Sequence, residues 1–186
     1  MRKESFDAEV EKNFPGAKYI DRGESLVFKY QNKAINVYPI NYPERGLREF
    51  VESQNNLSNI VRSRKLSFQV DTYNIPILIN QYDYVKTFPS GRVYISSPFN
   101  SDPNLLNLNP RSLLIPPWFT ASISEFGWYG ITEKLNNIFY KELRVENIPP
   151  VFQLASRNIH IGRNKITIVH IASHLQNFVN SFSAKN

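Results

Sequence analysis

The order of apolar and polar positions divides this 186-residue chain into short periodic segments. Phe6, Val10 and Phe14 recur every four residues ahead of Pro15-Gly16, so 5–14 is predicted to be a short helix with an acidic far face. Residues 25–30 and 34–39 are apolar, β-branched and aromatic around the polar connection Gln31-Asn32-Lys33, which predicts a β-hairpin. Pro39 and Pro43 close it. From 44 to 61, Leu47, Phe50, Val51, Leu57, Ile60 and Val61 recur at helical spacing, and the polar run Ser53-Gln54-Asn55-Asn56 marks where that helix could break.

Leu66-Ser67-Phe68-Gln69-Val70 alternates strictly, so one face of a strand is buried, and Asp71-Thr72 leads it into a second strand over 73–79. The stretch around which the chain is organised follows: 73–79 and 93–98, both rich in β-branched and aromatic residues, are read as strands facing each other across a turn. Residues 100–117 carry Leu105, Leu106, Leu108 and Leu113-Leu114-Ile115 among Asn and Pro, the pattern of an ordered loop pinned by apolar side chains. Trp118-Phe119 and Phe126-Gly127-Trp128-Tyr129 precede a predicted helix at 130–144, where Ile131, Leu135, Ile138, Phe139 and Leu143 share a face. After Ile148-Pro149-Pro150-Val151-Phe152, residues 158–161 suggest a strand. An amphipathic terminal helix is predicted over 165–182, its start open to a strand reading.

Composition narrows the class. A hydrophobic share of 41% and a charged share of 20% are those of a globular protein, and 13 Phe, 10 Tyr and 2 Trp point to an aromatic-rich interior or a sticky surface. The length fits one domain or one domain with an embellishment. Zero cysteines exclude a disulfide framework, a thiolate metal site and a cysteine nucleophile. The net charge of +6 would suit a polyanionic partner. Its densest cluster is only Arg62-Ser63-Arg64-Lys65, however, and no aromatic-interleaved basic motif accompanies it, so nucleic acid is a minor reading. The N-terminus has no apolar signal region and no run approaches membrane-spanning length, which gives the expectation of a cytoplasmic protein without a transmembrane segment.

Catalytic patterns are sparse. His170 and His174 stand four apart, as a zinc-binding helix could use. Ile171 occupies the place of a metalloprotease's glutamate, and no acid follows Lys165, so a polar helix face is the plainer reading. There is no Gly-x-Ser-x-Gly elbow and no glycine cluster for phosphate, while Asp71, Asp83, Asp102 and Glu125 are scattered. No enzyme activity, metal or cofactor is expected. Tyr73, Tyr82, Tyr84, Phe88, Tyr94, Trp118, Trp128 and Phe152 then suggest either core or a groove for extended peptides.

Taken in order, Tyr73-Asn74-Ile75-Pro76-Ile77, Phe88-Pro89, Val93-Tyr94-Ile95-Ser96-Ser97-Pro98, Trp118, the helix from Ile131 to Leu143 and Pro149-Pro150-Val151-Phe152 resemble a ubiquitin E2 variant (UEV) domain. This is the cysteine-less relative of ubiquitin-conjugating enzymes found in ESCRT-I sorting subunits. The resemblance implies an α+β fold, an antiparallel β-meander packed against helices (UBC/RWD-like). Residues 66–152 would form its core, 1–65 an N-terminal helix-hairpin-helix addition and 153–186 a C-terminal strand and helix. It implies a non-catalytic adapter without cofactors that binds ubiquitin or a Pro-Thr-Ala-Pro-like peptide, lined by Tyr73, Asn74, Pro149, Val151 and Phe152. The alternative is a basic structural subunit of a larger assembly, ribonucleoprotein or membrane-associated, built on an RWD-like fold. The turn Asp83-Tyr84-Val85-Lys86-Thr87 departs from the family pattern.

Overall fold

The computed structural model describes residues 3–23, 25–108, 115–142 and 156–171. In chain order its elements are α1 (Lys3–Asn13), β1 (Lys18–Arg22), β2 (Leu26–Tyr30), β3 (Lys33–Val37), α2 (Glu44–Ser63), β4 (Ser67–Val70), β5 (Tyr73–Ile79), β6 (Lys86–Thr87), β7 (Val93–Pro98), α3 (Pro117–Glu142), β8 (Ile159–Ile161) and β9 (Ile166–Ile168). The class is α+β, with one antiparallel sheet and one antiparallel but for a single parallel pair, and the chain separates into two compact units.

The first unit comprises Met1–Glu52 and Gln81–Phe99. Its five-stranded antiparallel sheet runs in the order β1-β2-β3-β7-β6. The predicted β2–β3 hairpin is present and closes through a two-residue turn, Gln31-Asn32, with Gln31 at φ 53. Helix α1 contributes Val10 to a core with Phe28, Ile35, Val37 and Phe88, while Tyr38, Leu47, Phe50, Val51, Tyr82, Val85, Val93 and Ile95 form a second cluster. Strand β1, exposed at every residue, lacks the alternation by which strands are recognised, and its edge position explains why.

The second unit comprises Ser53–Asn80 and Asn100–Asn186. Its four-stranded sheet runs β4-β5-β9-β8. The β4–β5 hairpin is antiparallel as expected, and β5 pairs in parallel with β9, Leu78 opposite Thr167. Phe68, Ile77, Leu105, Trp118, Phe119, Ile131, Leu135 and Phe139 are fully or almost fully buried in one cluster with the isoleucines of β8 and β9. Helix α2 serves both units, with Leu47, Phe50 and Val51 in the first core and Leu57 and Val61 in the second.

Several expectations change. Strands β5 and β7 do not face each other: β7 pairs with β3 and β6, and β5 with β4 and β9. Thirteen residues separate them, against the 2–5 typical of a hairpin loop, and Tyr82, Val85 and Phe88 within that span are buried. The continuous meander of a UBC/RWD-like domain therefore fails at its central joint. Helix α2 does not break at its polar run, because Ser53, Gln54 and Ser58 are themselves buried. Helix α3 starts at Pro117 and takes in both aromatic clusters, bending at Gly127, whose φ 68 and ψ 172 lie where only glycine sits without strain. Residues 166–168 of the predicted terminal helix are strand, 165 and 169–171 are not helical, and 172–182 lie outside the described residues. Leu105 and Leu108 do pin their loop, Leu106 is exposed, and Leu113 and Leu114 lie outside the described residues. Among the described residues no helix is long and apolar enough to cross a membrane.

Candidate functional site

Two matching triplets, Ile159-His160-Ile161 and Ile166-Thr167-Ile168, flank the turn Gly162-Arg163-Asn164-Lys165. In paired strands the side-chain period of two sends the four isoleucines to one face and the two polar residues to the other. The β8–β9 register has this outcome: His160 is opposite Thr167, and all four isoleucines are buried in the core. Since Thr167 is also opposite Leu78 and His160 is bridged to Asn104, a row Leu78, Thr167, His160, Asn104 crosses the sheet on its non-core face. Directly opposite side chains have Cβ atoms about 5 Å apart, so neighbours in this row can share a ligand.

The loop over 100–105 is sewn to β8. Asn100 Oδ1 accepts from the Asp102 N–H at 2.9 Å, the Ile161 N–H donates to the Pro103 carbonyl at 2.9 Å, and the Leu105 N–H donates to the Ile159 carbonyl at 2.7 Å. The hairpin turn is held by Gly162 N–H to the Lys165 carbonyl at 2.9 Å and by the Trp118 indole N–H donating to the Arg163 carbonyl at 3.0 Å.

His160 is fixed by this stitching. Its Nδ1 lies 2.6 Å from the Asp102 carbonyl oxygen, which only accepts, so Nδ1 carries the proton and Nε2 is left as an acceptor. Burial pushes the imidazole below the usual histidine range, more strongly than the Asp102 carbonyl and carboxylate raise it. The neutral ring is the one the fold prefers. Because the folded pKa lies under the unfolded value of about 6.5, the unfolded state binds more protons below that pH, and this contribution to stability is lost as the pH falls below about 6.5 toward the folded value. Nitrogen-resolved NMR should show the Nδ1–H tautomer and a midpoint below 6.5. A midpoint at or above the free-histidine value would contradict the assignment.

Around His160 the polar groups are only partly matched. Lys165 Nζ stands 3.8 Å from Asp102 Oδ2, with the lysine side chain 43% and the aspartate 28% exposed. Asn104 Oδ1 accepts from the Asn107 N–H at 2.8 Å. Asp102 Oδ2, Asn100 Nδ2 and Thr167 Oγ1 are buried and have no hydrogen-bond partner among the described residues. For Thr167, 5% exposed, a near-isosteric test exists. Thr167→Val removes a desolvated hydroxyl without changing its shape, and it should be neutral or stabilise by about 1 kcal/mol in denaturant unfolding. A loss of similar size would reveal a partner for the hydroxyl.

Gln54 anchors the end of this face. Its Nε2 donates to the carbonyls of Asn80 at 2.9 Å and Val169 at 3.2 Å, and its Oε1 accepts from the Ile171 N–H at 3.2 Å. One turn on, the Ser58 hydroxyl donates to the Ile79 carbonyl at 2.8 Å. The ends of β5 and β9 are thus completed by side chains of α2.

The sequence-selected residues fall elsewhere. Tyr73 and Asn74 begin β5 opposite Val70 and Gln69, exposed on the hairpin, while Pro149, Val151 and Phe152 lie outside the described residues. Of the aromatic set, Tyr82, Phe88 and Trp118 are core, Tyr94 and Trp128 half-buried, and Tyr84 exposed. His170 follows β9, and His174 lies outside the described residues. Among the described residues no group of three or more His, Asp or Glu is placed to hold a metal ion. One polar node of the first unit is satisfied internally: Asp83 accepts from Lys33 at 2.6 Å and from the Ser96 hydroxyl, and these bonds hold its carboxyl below the usual range. Sequence reading took Gln54 as part of a weak point in its helix, passed over Thr167, and placed His160 in a strand without a role. The twin Ile-polar-Ile triplets were the signal that could have found the last two.

No protein-family model matches the chain, and no curated protein does. Solved structures do. The GDP complex of wild-type aminoglycoside 2'-phosphotransferase-IIIa is 10% identical at a TM-score of 0.40, covering 92% of this chain and 75% of that one. The aminoglycoside phosphotransferase APH(4)-Ia is 10% identical at 0.42, covering 90% and 70%. The kinase domain of Mycobacterium tuberculosis PknI is 11% identical at 0.36, covering 84% and 58%. These neighbours are phosphotransferases and a kinase, not UEV or RWD domains, so the ESCRT-like recognition, the ubiquitin or peptide adapter, its structural-subunit alternative and the expectation of a non-enzyme are all withdrawn. At these scores the likeness assigns this chain neither a reaction nor a ligand.

Proposed function

We propose that the chain binds a small polar molecule on the non-core face of the β4-β5-β9-β8 sheet, with His160 as the central hydrogen-bond acceptor. The observation that carries this reading is the row Leu78, Thr167, His160, Asn104. It sets a buried, unmatched hydroxyl beside a neutral imidazole with a fixed tautomer, flanked by Asp102 and Lys165. Thr167 Oγ1 and Asp102 Oδ2 are covered by the protein itself, so the groups this face offers a ligand are the half-buried His160 ring and the partly exposed Lys165 and Leu78. Leu78, 38% exposed, adds an apolar contact at the row's end. Small-molecule sites combine these ingredients, a few convergent polar groups beside apolar surface.

The test is a titration of histidine-labelled protein, followed at the His160 ring, with GDP, glucose 6-phosphate, myo-inositol and free amino acids. GDP enters the panel because one similar structure is a GDP complex. At least one compound should shift His160 saturably, and His160→Phe should abolish the accompanying thermal stabilisation. Silence of His160 toward the whole panel would reject the site.

A further inference from the structure

We propose that Ser90 is a phosphorylation site, and that a phosphoryl group on its hydroxyl detaches helix α1 from the first sheet. Pro89, Ser90 and Gly91 are exposed at the tip of a tight turn whose ends, Phe88 and Arg92, are buried. The turn is closed by the Phe88 N–H donating to the Arg92 carbonyl at 2.8 Å and the Gly91 N–H to the Phe88 carbonyl at 2.9 Å, with Gly91 at φ 84. An exposed tip of small residues on a fixed stem is a place a modifying enzyme can reach. Ser90 also holds α1. Its hydroxyl and N–H donate to the Glu9 carboxylate at 2.7 Å and 3.3 Å, and Arg92 Nη1 donates to the same carboxylate at 2.8 Å. Three donors of one turn thus converge on an anion carried by the helix, beside Val10, 2% exposed, in the cluster of Phe28, Ile35, Val37 and Phe88.

Phosphorylation turns one of those donors into an anion. A serine kinase transfers the γ-phosphoryl group of ATP: the Ser90 Oγ–P bond forms, the bond from the γ-phosphorus to its bridging oxygen breaks, ADP leaves and the hydroxyl proton is released. The oxygen that donated to Glu9 then bears a group of about −1.5 to −2 charge at pH 7. The Arg92 N–H already donates to Ser90 Oγ at 3.3 Å, which keeps the modified oxygen beside Arg92. Within the latch a single guanidinium now faces two anions. The phosphate carries more charge and belongs to the same turn, so it takes Arg92, and Glu9, 14% exposed, is left without its cation against a like charge. Departure of α1 relieves that conflict.

The experiment installs phosphoserine at position 90 of the full chain by genetic encoding and follows hydrogen exchange. Amides of α1 should exchange about tenfold faster while β2, β3 and β7 stay protected. Ser90→Ala, which loses one hydrogen bond and adds no charge, should change α1 by less than about threefold. Glu9→Gln removes the opposing charge, so in that background the phosphate should also act by less than about threefold. Phosphorus NMR should put the second ionisation of the phosphate below its ordinary value of about 6, as pairing with Arg92 requires. Unchanged α1 exchange, or a phosphate midpoint above 6, would mean that the phosphate and Glu9 stay together and would overturn the switch. Full acceleration in the Glu9→Gln background would assign the effect to bulk rather than charge. Loss of protection in β2 and β3 as well would mean unfolding of the unit, not release of its helix, and would equally overturn it. Mass spectrometry of the chain from its own cells should find the group on Ser90 in the tryptic peptide 87–92. That peptide unmodified under every growth condition sampled would remove Ser90 as a site.

Discussion

Gln54→Leu should destabilise the second unit by about 4 kcal/mol. Three backbone groups, the carbonyls of Asn80 and Val169 and the N–H of Ile171, have their bonds to this one side chain, which is 1% exposed. Leucine fills similar volume but makes none of the three bonds, at about 1–3 kcal/mol for the buried Ile171 N–H and about 0.5–1.5 kcal/mol for each part-buried bond lost at the two carbonyls. Gln54→Glu separates geometry from chemistry. It keeps an oxygen for the Ile171 N–H and sets a carboxylate against two carbonyls, so it too should be severe, and milder at acid pH where the carboxyl can donate a proton. Denaturant unfolding gives the loss, and hydrogen exchange at Asn80, Ile168 and Ile171 locates it. A Gln54→Leu variant within 1 kcal/mol of the parent would mean that the clamp does not hold the sheet ends.

The same residue shows where sequence reading stopped. The helix was legible from Leu47, Phe50, Val51, Leu57 and Val61, but Ser53-Gln54-Asn55-Asn56 read as a weak point because periodicity treats amides as solvent-facing. A helix that serves the ends of two strands needs buried amides there, and only the tertiary partners, 26 to 117 residues away, make that visible. Strands β2 to β5 and β8 were likewise legible, since each buries alternate residues. The pairing of β5 with β9 was not, because a parallel register across almost ninety residues leaves no local trace, and the eye paired β5 with the next apolar run instead. That error supported the UEV resemblance. Each quoted motif was real as residues, but Tyr73-Asn74 and Val93 to Pro98 belong to different sheets. His160 was noted as part of a strand, and its chemistry came from the Asp102 carbonyl, supplied by a loop 58 residues earlier.

Arg92→Ala should cost the first unit about 3–5 kcal/mol, the penalty for stripping one partner from a buried ion pair. Arg92 Nη1 donates to Glu9 Oε2 at 2.8 Å with side-chain exposures of 9% and 14%. Glu9 also accepts from the Ser90 hydroxyl at 2.7 Å and the Ser90 N–H at 3.3 Å. Helix α1 is therefore latched to the Phe88–Arg92 turn by a carboxylate that Arg92→Ala would leave without its cation. Replacing both charges, Glu9→Leu with Arg92→Leu, should recover most of the loss, since the desolvation of two ions disappears with them. The pH dependence follows from the same contacts. Burial pushes the Glu9 carboxyl up, but the hydrogen bonds from Ser90 and Arg92 and the guanidinium charge together outweigh it, and the folded pKa lies below the ordinary carboxylate value. A depressed carboxylate stabilises fully above its unfolded pKa of about 4.3, and that stabilisation is lost as the pH falls through the folded value. Amide exchange in α1 should therefore accelerate selectively below pH ~4 in the parent, and this acid sensitivity should vanish in the double leucine variant. Equal acid sensitivity in both would place the latch elsewhere.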